Sequence, residues 1–576
     1  MLRVKNQQRD PIVPPLSISA LFNLSSFRHW DNVVANQKEL NFTRQELKRD
    51  RKILAKAFLS LGVRKGDIIT VYTARSMYDN IVIFLAANKI GAIVSFLDEK
   101  TPRDTLLRYI EEFKSSLLIV QNKTVGRIKD LKKDAKTVKN VINLTSDYDE
   151  KKFETTIVET FMLGKKSLVE IAGKYRGWVP KNIFGGKNEA IVTFTSGSTS
   201  GPKPMVFTNE NLIAAALFSK AASGIKMWDK EITTWLSFVK FDCPYGFWTS
   251  VMTPIIGGSS VILTPDINEN NLDYYFSKPI NVVQAVPLLL DMLSKVLSLE
   301  VDLSATKMYI SGGERLEKNA SIAAAEFFKA HGATVKMCNG YGVGECLGSI
   351  TVAVGATYHP DTVGKIVPGA HVMILDPETG EELNFGRTGI LYVHGKHILN
   401  RYYNRPELTE EKIIKVNGKR FVNTGDLASV SETGFVTLVG RATFFINNLP
   451  AKVYYEVVRL AVAKSDLIER CYVVKGPDAK LKLASYAFVV TKEGVGHNNQ
   501  VRRQIVSDAT KPFYVGKRRM TLKPYELPRK VVFLDELPVT KANKIDFRKL
   551  EKMAREMEEK PVVKPGEKPI EKSVKK

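Results

Sequence analysis

The chain has 576 residues, of which 44% are hydrophobic and 25% charged, and its formal net charge is +24. This is ordinary globular composition, with enough length for a large core and more than one domain. The positive charge favours polyanionic partners, but it is spread along the chain, and no basic motif interleaved with aromatic residues points to nucleic acid.

Composition and the N-terminal residues also bear on the compartment. The four cysteines show neither a CxxC pair nor a zinc-ligand spacing: Cys243, Cys338, Cys346 and Cys471. We therefore expect reduced thiols and a cytoplasmic protein rather than a disulfide framework. The first residues, MLRVKNQQRDPIVPP, lack the apolar core of a signal peptide. The longest apolar region, residues 81–97, is interrupted by Asn88 and Lys89, and we expect no transmembrane segment.

The first hundred residues alternate between helical and strand patterns. Thr43 with Glu46 is a helix-start signal, and a helix should continue to about Leu61. A strand over 68–72, a helix over 76–90 and a strand over 92–97 follow. This order predicts an α/β sheet. Residues 125–188 are rich in lysine and carry no motif, and we predict surface helices and loops there.

The most informative stretch is TFTSGSTSGPKPMVFTNENL, residues 193–212, which follows the strand-like run Ala190-Ile191-Val192. Small residues let a backbone approach a ligand, hydroxyls add donors, and a lysine adds a charge. A polyphosphate ligand suits this set, which consists of Thr195, Ser196, Gly197, Ser198, Thr199, Ser200, Gly201 and Lys203. A solvated linker is the alternative; the strand-like entry and Lys203 argue against it. The nucleoside-triphosphatase P-loop is excluded because its glycine spacing differs. A helix is predicted over 211–223.

Further motifs follow in chain order. Residues 233–263 predict a strand, an aromatic-rich turn, a helix and a strand, with Phe241, Asp242, Cys243, Tyr245, Phe247 and Trp248 crowding the turn. A strand then ends in Gly312-Gly313-Glu314, at the edge where open α/β sheets bind ligands. Beyond it lie NGYGVGE (339–345), FVNTGD (421–426), Gly440-Arg441 and LDELPVTKANKIDFRKL (534–550).

Together these stretches resemble, in order, the motifs of the AMP-forming adenylating superfamily: acyl-CoA synthetases, aryl-acid ligases, luciferases and peptide-synthetase adenylation domains. The resemblance covers about residues 20–550. It implies an α/β multidomain protein. A large N-terminal adenylation domain (1–440) would hold α/β sheets and a β-rich subdomain, and a small mobile α+β domain (441–552) would follow it. We expect a disordered charged tail over 553–576.

The resemblance also implies roles for single residues. The 195–203 loop would bind the ATP phosphates, Tyr341 would lie against adenine, and Glu345 would bind Mg²⁺, a cation that prefers carboxylate oxygen. Asp426 would accept from the ribose hydroxyls, Arg441 would reach the ribose or phosphate, and Lys544 would be the catalytic lysine, with Lys203. Remaining nucleotide contacts fall on Gly312, Gly313, Glu314, Asn339 and Gly342.

The aromatic turn has two interpretations of equal weight. In the superfamily this region begins the acyl pocket, which would involve Asp242, Cys243 and Tyr245; the alternative is an aromatic core helix. A buried Asp242 carboxylate would need a partner, either a substrate ammonium group or an arginine. The sequence alone therefore names no substrate.

This chain departs from the family pattern at several positions. Ser200 and Pro204 stand where glycine is usual, Asn209 where histidine is frequent, Gly344 where threonine is usual, and Asn543 where glycine is usual. After Arg441 the pattern of two aspartates, a lysine and a glycine is replaced by Thr443, Phe444, Asn447 and Pro450, while Lys452 keeps the basic position. We expect these replacements to affect the thioester-forming step more than the adenylation step.

The sequence therefore predicts activation of a carboxylic acid with ATP and Mg²⁺, followed by acyl transfer to CoA. A second hypothesis is transfer to the phosphopantetheine of an acyl carrier protein, or a reaction that stops at the acyl-adenylate. A third is a non-catalytic nucleotide-binding relative, which the joint retention of Lys203, Glu345, Asp426, Arg441 and Lys544 disfavours.

Overall fold

The structure, a computed structural model, describes residues 2–5, 7–27, 29–73, 77–121, 134–144, 157–160, 164–195, 202–225, 233–239, 241, 243–265, 267–287, 293, 300–314, 316, 318–348, 350–359, 362–448, 451–478, 482–515, 518–539 and 545–557. The chain divides into two compact units. The first is Met1–Thr424 with Ser429–Val436, and the second is Gly425–Ala428 with Thr437–Lys576. The second unit thus begins its main run a few residues before Arg441; the domain limits given above stay a prediction.

The first unit alternates helices and strands. Its helices are α1 Ile18–Ser25, α2 Arg44–Ser60, α3 Tyr78–Ile90, α4 Arg103–Glu112, α5 Leu168–Gly173, α6 Asn209–Ser223, α7 Thr253–Ile256, α8 Leu272–Phe276, α9 Lys318–Ala330 and α10 Pro406–Lys412. Its strands are β1 Val33–Gln37, β2 Leu40–Thr43, β3 Ile68–Tyr72, β4 Ile93–Phe96, β5 Leu117–Gln121, β6 Asn140–Leu144, β7 Ile157–Thr160, β8 Gly164–Ser167, β9 Glu189–Phe194, β10 Pro204–Thr208, β11 Thr234–Ser237, β12 Ser260–Leu263, β13 Val282–Ala285, β14 Met308–Gly312, β15 Lys336–Tyr341, β16 Thr351–Val354, β17 Lys365–Ile366, β18 His371–Leu375, β19 Gly389–His394, β20 Arg401–Tyr402, β21 Ile413–Val416 and β22 Lys419–Val430, which continues into the second unit.

Two mixed sheets organise this unit. One has the order β20-β10-β9-β4-β3-β5-β6, and the other has the order β17-β16-β15-β14-β13-β11-β12-β1-β2. The central pairs of both sheets are parallel, and antiparallel strands lie toward their edges. A third, antiparallel group contains β18, β19, β22 and β21. The predicted α/β class with a β-rich subdomain is therefore confirmed.

Local signals account for several of these elements. Thr43 caps α2 and forms the predicted reciprocal capping box with Glu46, which satisfies donors that a helix start leaves free. Strand β3 has the predicted bounds, and all five of its residues are buried. Helix α3 is buried around nearly its whole circumference, as expected for a helix inside a large core.

Two local predictions need correction. Residues 125–188 are not only helices and loops: β7 and β8 pair there as an antiparallel hairpin, and residues 140–144 form β6, a buried strand that pairs in parallel with β5. Burial on both faces gives such a strand no alternation for a sequence pattern to detect. The predicted helix after the aromatic turn exists, but residues Tyr245–Met252 form a π-helix that leads into α7.

The second unit contains β23 Val436–Arg441, β24 Phe445–Asn448, β25 Ala451–Tyr454, α11 Tyr455–Val462, β26 Ile468–Asp478, β27 Lys482–Thr491, α12 Asn499–Ala509, β28 Phe513–Val515, β29 Arg518–Met520, β30 Lys530–Phe533 and α13 Phe547–Glu556. Strands β26, β27 and β30 form a sheet whose core includes Leu550 and Ala554 of α13. Because α13 packs into this core, it extends into the first residues of the predicted tail; residues 558–576 lie outside the described part.

Asn209, which replaces a frequent histidine of the family, has a structural role. It is fully buried, and its amide nitrogen donates to the carbonyls of Gly185 and Asn188 at 2.9 and 3.1 Å. Its amide oxygen accepts from the Ile18 backbone at 3.0 Å and from the Asn88 side chain at 2.7 Å. One side chain thus connects α6 to α1, α3 and the segment that enters β9.

We expect Asn209→Ala to lower the free energy of unfolding of the first unit by roughly 2–4 kcal/mol, because several buried groups would lose their partner at once. Asn211→Ala is the matched control, since the Asn211 side chain lies at the surface end of the same helix and bonds to Thr208 and Lys396; its cost should stay near 1 kcal/mol. All five tryptophans precede residue 425, so urea denaturation followed by tryptophan fluorescence reports on this unit. Equal losses in the two variants would contradict the structural role.

Candidate functional site

The base of the predicted phosphate loop is a closed hairpin. Strands β9 and β10 pair antiparallel, from Glu189 with Thr208 to Phe194 with Pro204. Beyond the last pair, the Thr195 N–H donates to the Lys203 carbonyl at 3.1 Å, and the Lys203 N–H donates to the Thr195 hydroxyl at 3.1 Å. These two bonds fix both ends of the loop; residues 196–201, predicted to line it, lie outside the described residues.

The predicted magnesium ligand lies beside the same strand. Glu345 sits in the 3-10 turn Gly344–Cys346, and its backbone carbonyl accepts from Leu399 N–H at 2.7 Å. Its carboxylate Oε1 accepts a hydrogen bond of 2.7 Å from the hydroxyl of Tyr402. Tyr402 belongs to β20, where it pairs with Met205 of β10. The base of the loop and the carboxylate therefore meet at the start of β10.

The same packing accounts for Gly344, which replaces a usual threonine. A Cβ built on Gly344 would lie 3.1 Å from Cε of Met205, which is tighter than an ordinary contact. The glycine thus leaves room for the Met205 side chain of β10. The contact also places the acidic turn against the strand that leaves the phosphate loop.

The Glu345 carboxylate has the chemistry that a magnesium ion needs. Burial, together with the adjacent Glu345 carboxylate, raises the pKa of Tyr402 well above its ordinary value, so the phenol stays protonated and donates. Oε1 is used by this bond, and Oε2 has no hydrogen bond from any described residue. No group of three or more His, Cys, Asp or Glu side chains gathers as a metal cage within the described ranges. A single carboxylate completed by phosphate oxygens and water is an arrangement that suits Mg²⁺.

The predicted adenine-side residues lie at adjacent strand ends. Gly312 of β14 is in register with Gly340 of β15, and Asn339 and Tyr341 flank that position. Gly313 follows with φ +86°, a conformation that favours glycine, and Glu314 comes next. A Cβ on Gly342 would lie 2.2 Å from the Gly348 carbonyl carbon, so the backbone can pass there only with glycine.

The aromatic turn packs as core. The rings of Phe241 and Phe247 contact each other and Phe96 of β4 at centroid distances of 4.9 to 5.5 Å. A pocket beside them, which Cys243 helps to line, has a volume of about 10 Å³, enough for one water molecule. Cys243 accepts a 3.3 Å hydrogen bond from the Gly246 N–H, and Tyr245 begins the π-helix. Asp242 lies outside the described residues, and an acyl-binding role for these three stays a prediction.

In the second unit, two predicted nucleotide-binding residues contact each other. The Arg441 Nε lies 3.1 Å from Oδ1 of Asp426, with the carboxylate largely buried and the arginine half-exposed. Gly425, beside Asp426, has φ +73°. This pair presents a carboxylate already oriented by a cation. Lys544 and its neighbours Lys541 and Asn543 lie outside the described residues.

The altered stretch after Arg441 forms a hairpin of β24 and β25. Phe444, which stands where the family pattern has a polar residue, packs against Tyr455 and Phe547 at centroid distances of 6.0 and 5.0 Å. It is therefore part of the aromatic core of the second unit rather than a free hinge residue.

Tyr402 lies in the segment RYYNRP at 401–406, for which no chemistry was predicted. Arg401 forms a bidentate pair with Glu189, at 2.8 and 2.9 Å, and Arg405 forms one with Glu112, at 2.6 and 3.1 Å. These charged pairs anchor the short strand β20 on either side of Tyr402. The only local signal was an unusual density of arginine and tyrosine.

Comparison with known proteins identifies the family of the chain. Residues 25–403 match the family described as AMP-binding enzyme, and residues 460–544 match the AMP-binding enzyme C-terminal domain. The chain is 25% identical over 560 residues to a probable CoA ligase of Humulus lupulus, covering 95% of each chain. It is 25% identical over 527 residues to a D-alanine–D-alanyl carrier protein ligase of Streptococcus pneumoniae, covering 88% of this chain and 92% of that one.

Solved structures share the fold. ATP-bound MatB from Rhodopseudomonas palustris aligns with a TM-score of 0.77 at 20% identity, covering 94% of this chain and 99% of that one. Because the first family match spans well over half of the chain, the protein belongs to the AMP-binding enzyme family. The predicted superfamily is thereby confirmed. None of the helices in the described ranges combines the length and the apolar character needed to cross a bilayer.

We expect Tyr402→Phe to raise the Mg²⁺ concentration required for ATP binding by about 10-fold, because the Glu345 carboxylate would lose the donor that orients it. Titration calorimetry of ATP at a series of Mg²⁺ concentrations measures this shift. Tyr403→Phe is the control, because it also removes a tyrosine hydroxyl but from the adjacent residue, whose ring packs on Phe113. If Tyr402→Phe and wild type show the same Mg²⁺ dependence, Tyr402 does not position the ligand.

Proposed function

We propose that this protein activates a carboxylic acid with ATP and then transfers the acyl group to a thiol, with CoA as the leading acceptor. In the first step a carboxylate oxygen attacks the α-phosphorus, an O–P bond forms, and the bond to the bridging oxygen of pyrophosphate breaks. In the second step the thiol sulfur attacks the acyl carbon, AMP leaves, and the thiol proton passes to solvent.

The observation that carries the proposal is the arrangement around β10. The hydrogen-bonded base of the Ser/Gly-rich loop, the Lys203 backbone and the oriented Glu345 carboxylate all adjoin the first residues of this strand. Phosphoryl chemistry asks the protein mainly to position groups and neutralise charge. Lys203 and the loop N–H groups would hold the phosphates, and Mg²⁺ held by Glu345 would supply positive charge to the phosphate oxygens.

Family membership supports the roles that we propose for the remaining residues. Tyr341 and the strand-end glycines Gly312 and Gly313 would receive adenine, and the Asp426 carboxylate would accept from the ribose hydroxyls while Arg441 holds it in place. Lys544 would bridge the substrate carboxylate and the α-phosphate. Removing one such charge from a reacting centre typically slows the chemistry by 10²–10³-fold.

Pyrophosphate exchange into ATP, run with a library of carboxylic acids, tests adenylation directly. We expect at least one acid to support exchange, and we expect Lys544→Ala to reduce that exchange by about 10²–10³-fold while ATP still binds. Lys541→Ala, three residues earlier on the chain, is the matched control and should retain exchange. If none of the acids supports exchange, the adenylation proposal is wrong. If Lys544→Ala exchanges as fast as wild type, only the role of that lysine is wrong.

The acceptor has a second candidate. The relatives include proteins named as CoA ligases and as a carrier protein ligase. In the stretch after Arg441, Phe444 is fixed in an aromatic core, and Pro450 replaces a glycine whose backbone freedom the family retains. This favours a modified second step, with transfer to a carrier-protein phosphopantetheine or release of the acyl-adenylate.

Product analysis with and without CoA separates these acceptors. With an acid that supports exchange, we expect an acyl-CoA thioester in the presence of CoA and acyl-adenylate in its absence, detected by mass spectrometry. Formation of the adenylate alone in both reactions would show that CoA is not the acceptor. None of the four cysteines, all of which the structure describes, forms a disulfide, which supports the proposed cytoplasmic, reducing compartment.

A further inference from the structure

Beside the strand ends that carry Gly312 and Tyr341, the first unit buries polar side chains that have no partner. Gln284 of β13 is 1% exposed, and neither its amide oxygen nor its amide nitrogen has a hydrogen-bond partner among the described residues. The hydroxyl of Tyr245 is also buried and, within the described part of the chain, forms no hydrogen bond. Native proteins pair nearly all such groups, so these two need an explanation.

The two groups face the same space. Gln284 is in register with Ile310 of β14, and Gly312 lies two residues further along on the same face. A Cβ built on Gly312 would lie only 2.7 Å from the Tyr245 hydroxyl, so the phenol rests on this backbone. Burial raises the pKa of Tyr245, and the nearby Gln284 amide acts in the opposite direction. No hydrogen bond of normal geometry joins the two side chains.

Tyr245 also limits the length of this space. Its ring edge lies 3.7 Å from a Cβ position on Gly348, while its hydroxyl lies against Gly312. The side chain therefore spans the gap between the end of β14 and the turn after Glu345. Among the described residues, the Tyr245 side chain occupies this path and leaves no room there for a long alkyl chain, and the pocket lined by Phe241 and Phe247 has the volume of one water molecule.

The polarity of the groups restricts the ligand further. An amide offers both donors and an acceptor, and burial raises the pKa of Tyr245, so its hydroxyl remains a donor. An apolar ligand would leave all of these unpaired in a dry environment, which is costly. A ligand with a hydroxyl, carbonyl or amide would satisfy them.

We infer that the acid activated by this protein is short and carries a hydrogen-bonding substituent that binds Gln284 and the Tyr245 hydroxyl. The inference rests on the proposed adenylation of a carboxylic acid and specifies the substrate class of that site. Sites built to bond a substrate hydroxyl discriminate strongly against analogues that lack it, because their own polar groups are then left unpaired.

The test uses pairs of acids that differ by hydroxyl against methyl or methylene: 3-hydroxybutanoate with 3-methylbutanoate, 4-hydroxybutanoate with pentanoate, and 4-hydroxybenzoate with 4-methylbenzoate. In pyrophosphate exchange with the full chain, we expect kcat/KM to favour the hydroxylated member of at least one pair by about 100-fold or more. Gln284→Leu should reduce that ratio below about 10-fold, by losing activity with the hydroxy acid and gaining it with the apolar one.

Tyr245→Phe, which removes one oxygen, should reduce the ratio in the same direction. Stability is a second readout: Gln284→Leu should melt no lower than wild type, since an unpaired buried amide is exchanged for an apolar group of similar size. Equal use of both members in every pair, or a wild-type ratio in Gln284→Leu, overturns the inference while adenylation stands. If none of the acids supports exchange, both the adenylation proposal and this inference are overturned.

Discussion

The short strand β20 is the element on which the geometry of the site depends. It has two residues, Arg401 and Tyr402, and it pairs with Val206 and Met205 of β10. So short a strand gains little from its own ladder, and the bidentate pair of Arg401 with Glu189 supplements it. Charge-assisted bidentate bonds fix direction as well as distance. Tyr402 is therefore held where its hydroxyl meets Glu345, next to the strand that leaves the phosphate loop.

This arrangement explains why residues far apart in the chain belong to one site. The loop base at Thr195 and Lys203, the turn at Glu345 and the strand at Tyr402 are separated by long stretches, yet β10 contacts all three. Their relative positions are thus set by sheet pairing, which is stiff, rather than by loops, which are not. If the site binds a polyphosphate and Mg²⁺ as proposed, such a frame would place the charged groups before the ligand arrives.

Much of this organisation was predictable from the sequence, and the exceptions have physical causes. The capping box of α2, strand β3 and the strand ending in Gly312 depend on neighbours a few residues away, so their patterns are local. Tyr402 and Glu345 are 57 residues apart, and the order of the strands, which a single sequence does not encode locally, brings them together. Tyr245 and Trp248 were placed in an aromatic turn before an ordinary helix, whereas they belong to a π-helix, a rare form with no sequence pattern of its own. Strand β6 was missed since it is buried on both faces.

The unpaired polar groups near Gly312 are not explained by the needs of folding. Gln284 sits among Val282, Val283 and Ala285 in a buried strand, a place where an apolar residue would fold at least as well. Asn209 at the start of α6, equally buried, satisfies its amide fully and stabilises the fold. The same chemical group is thus used once with complete pairing and once without. Departures from local consistency of this second kind are expected where a ligand completes the structure, which is the role that we propose for Gln284.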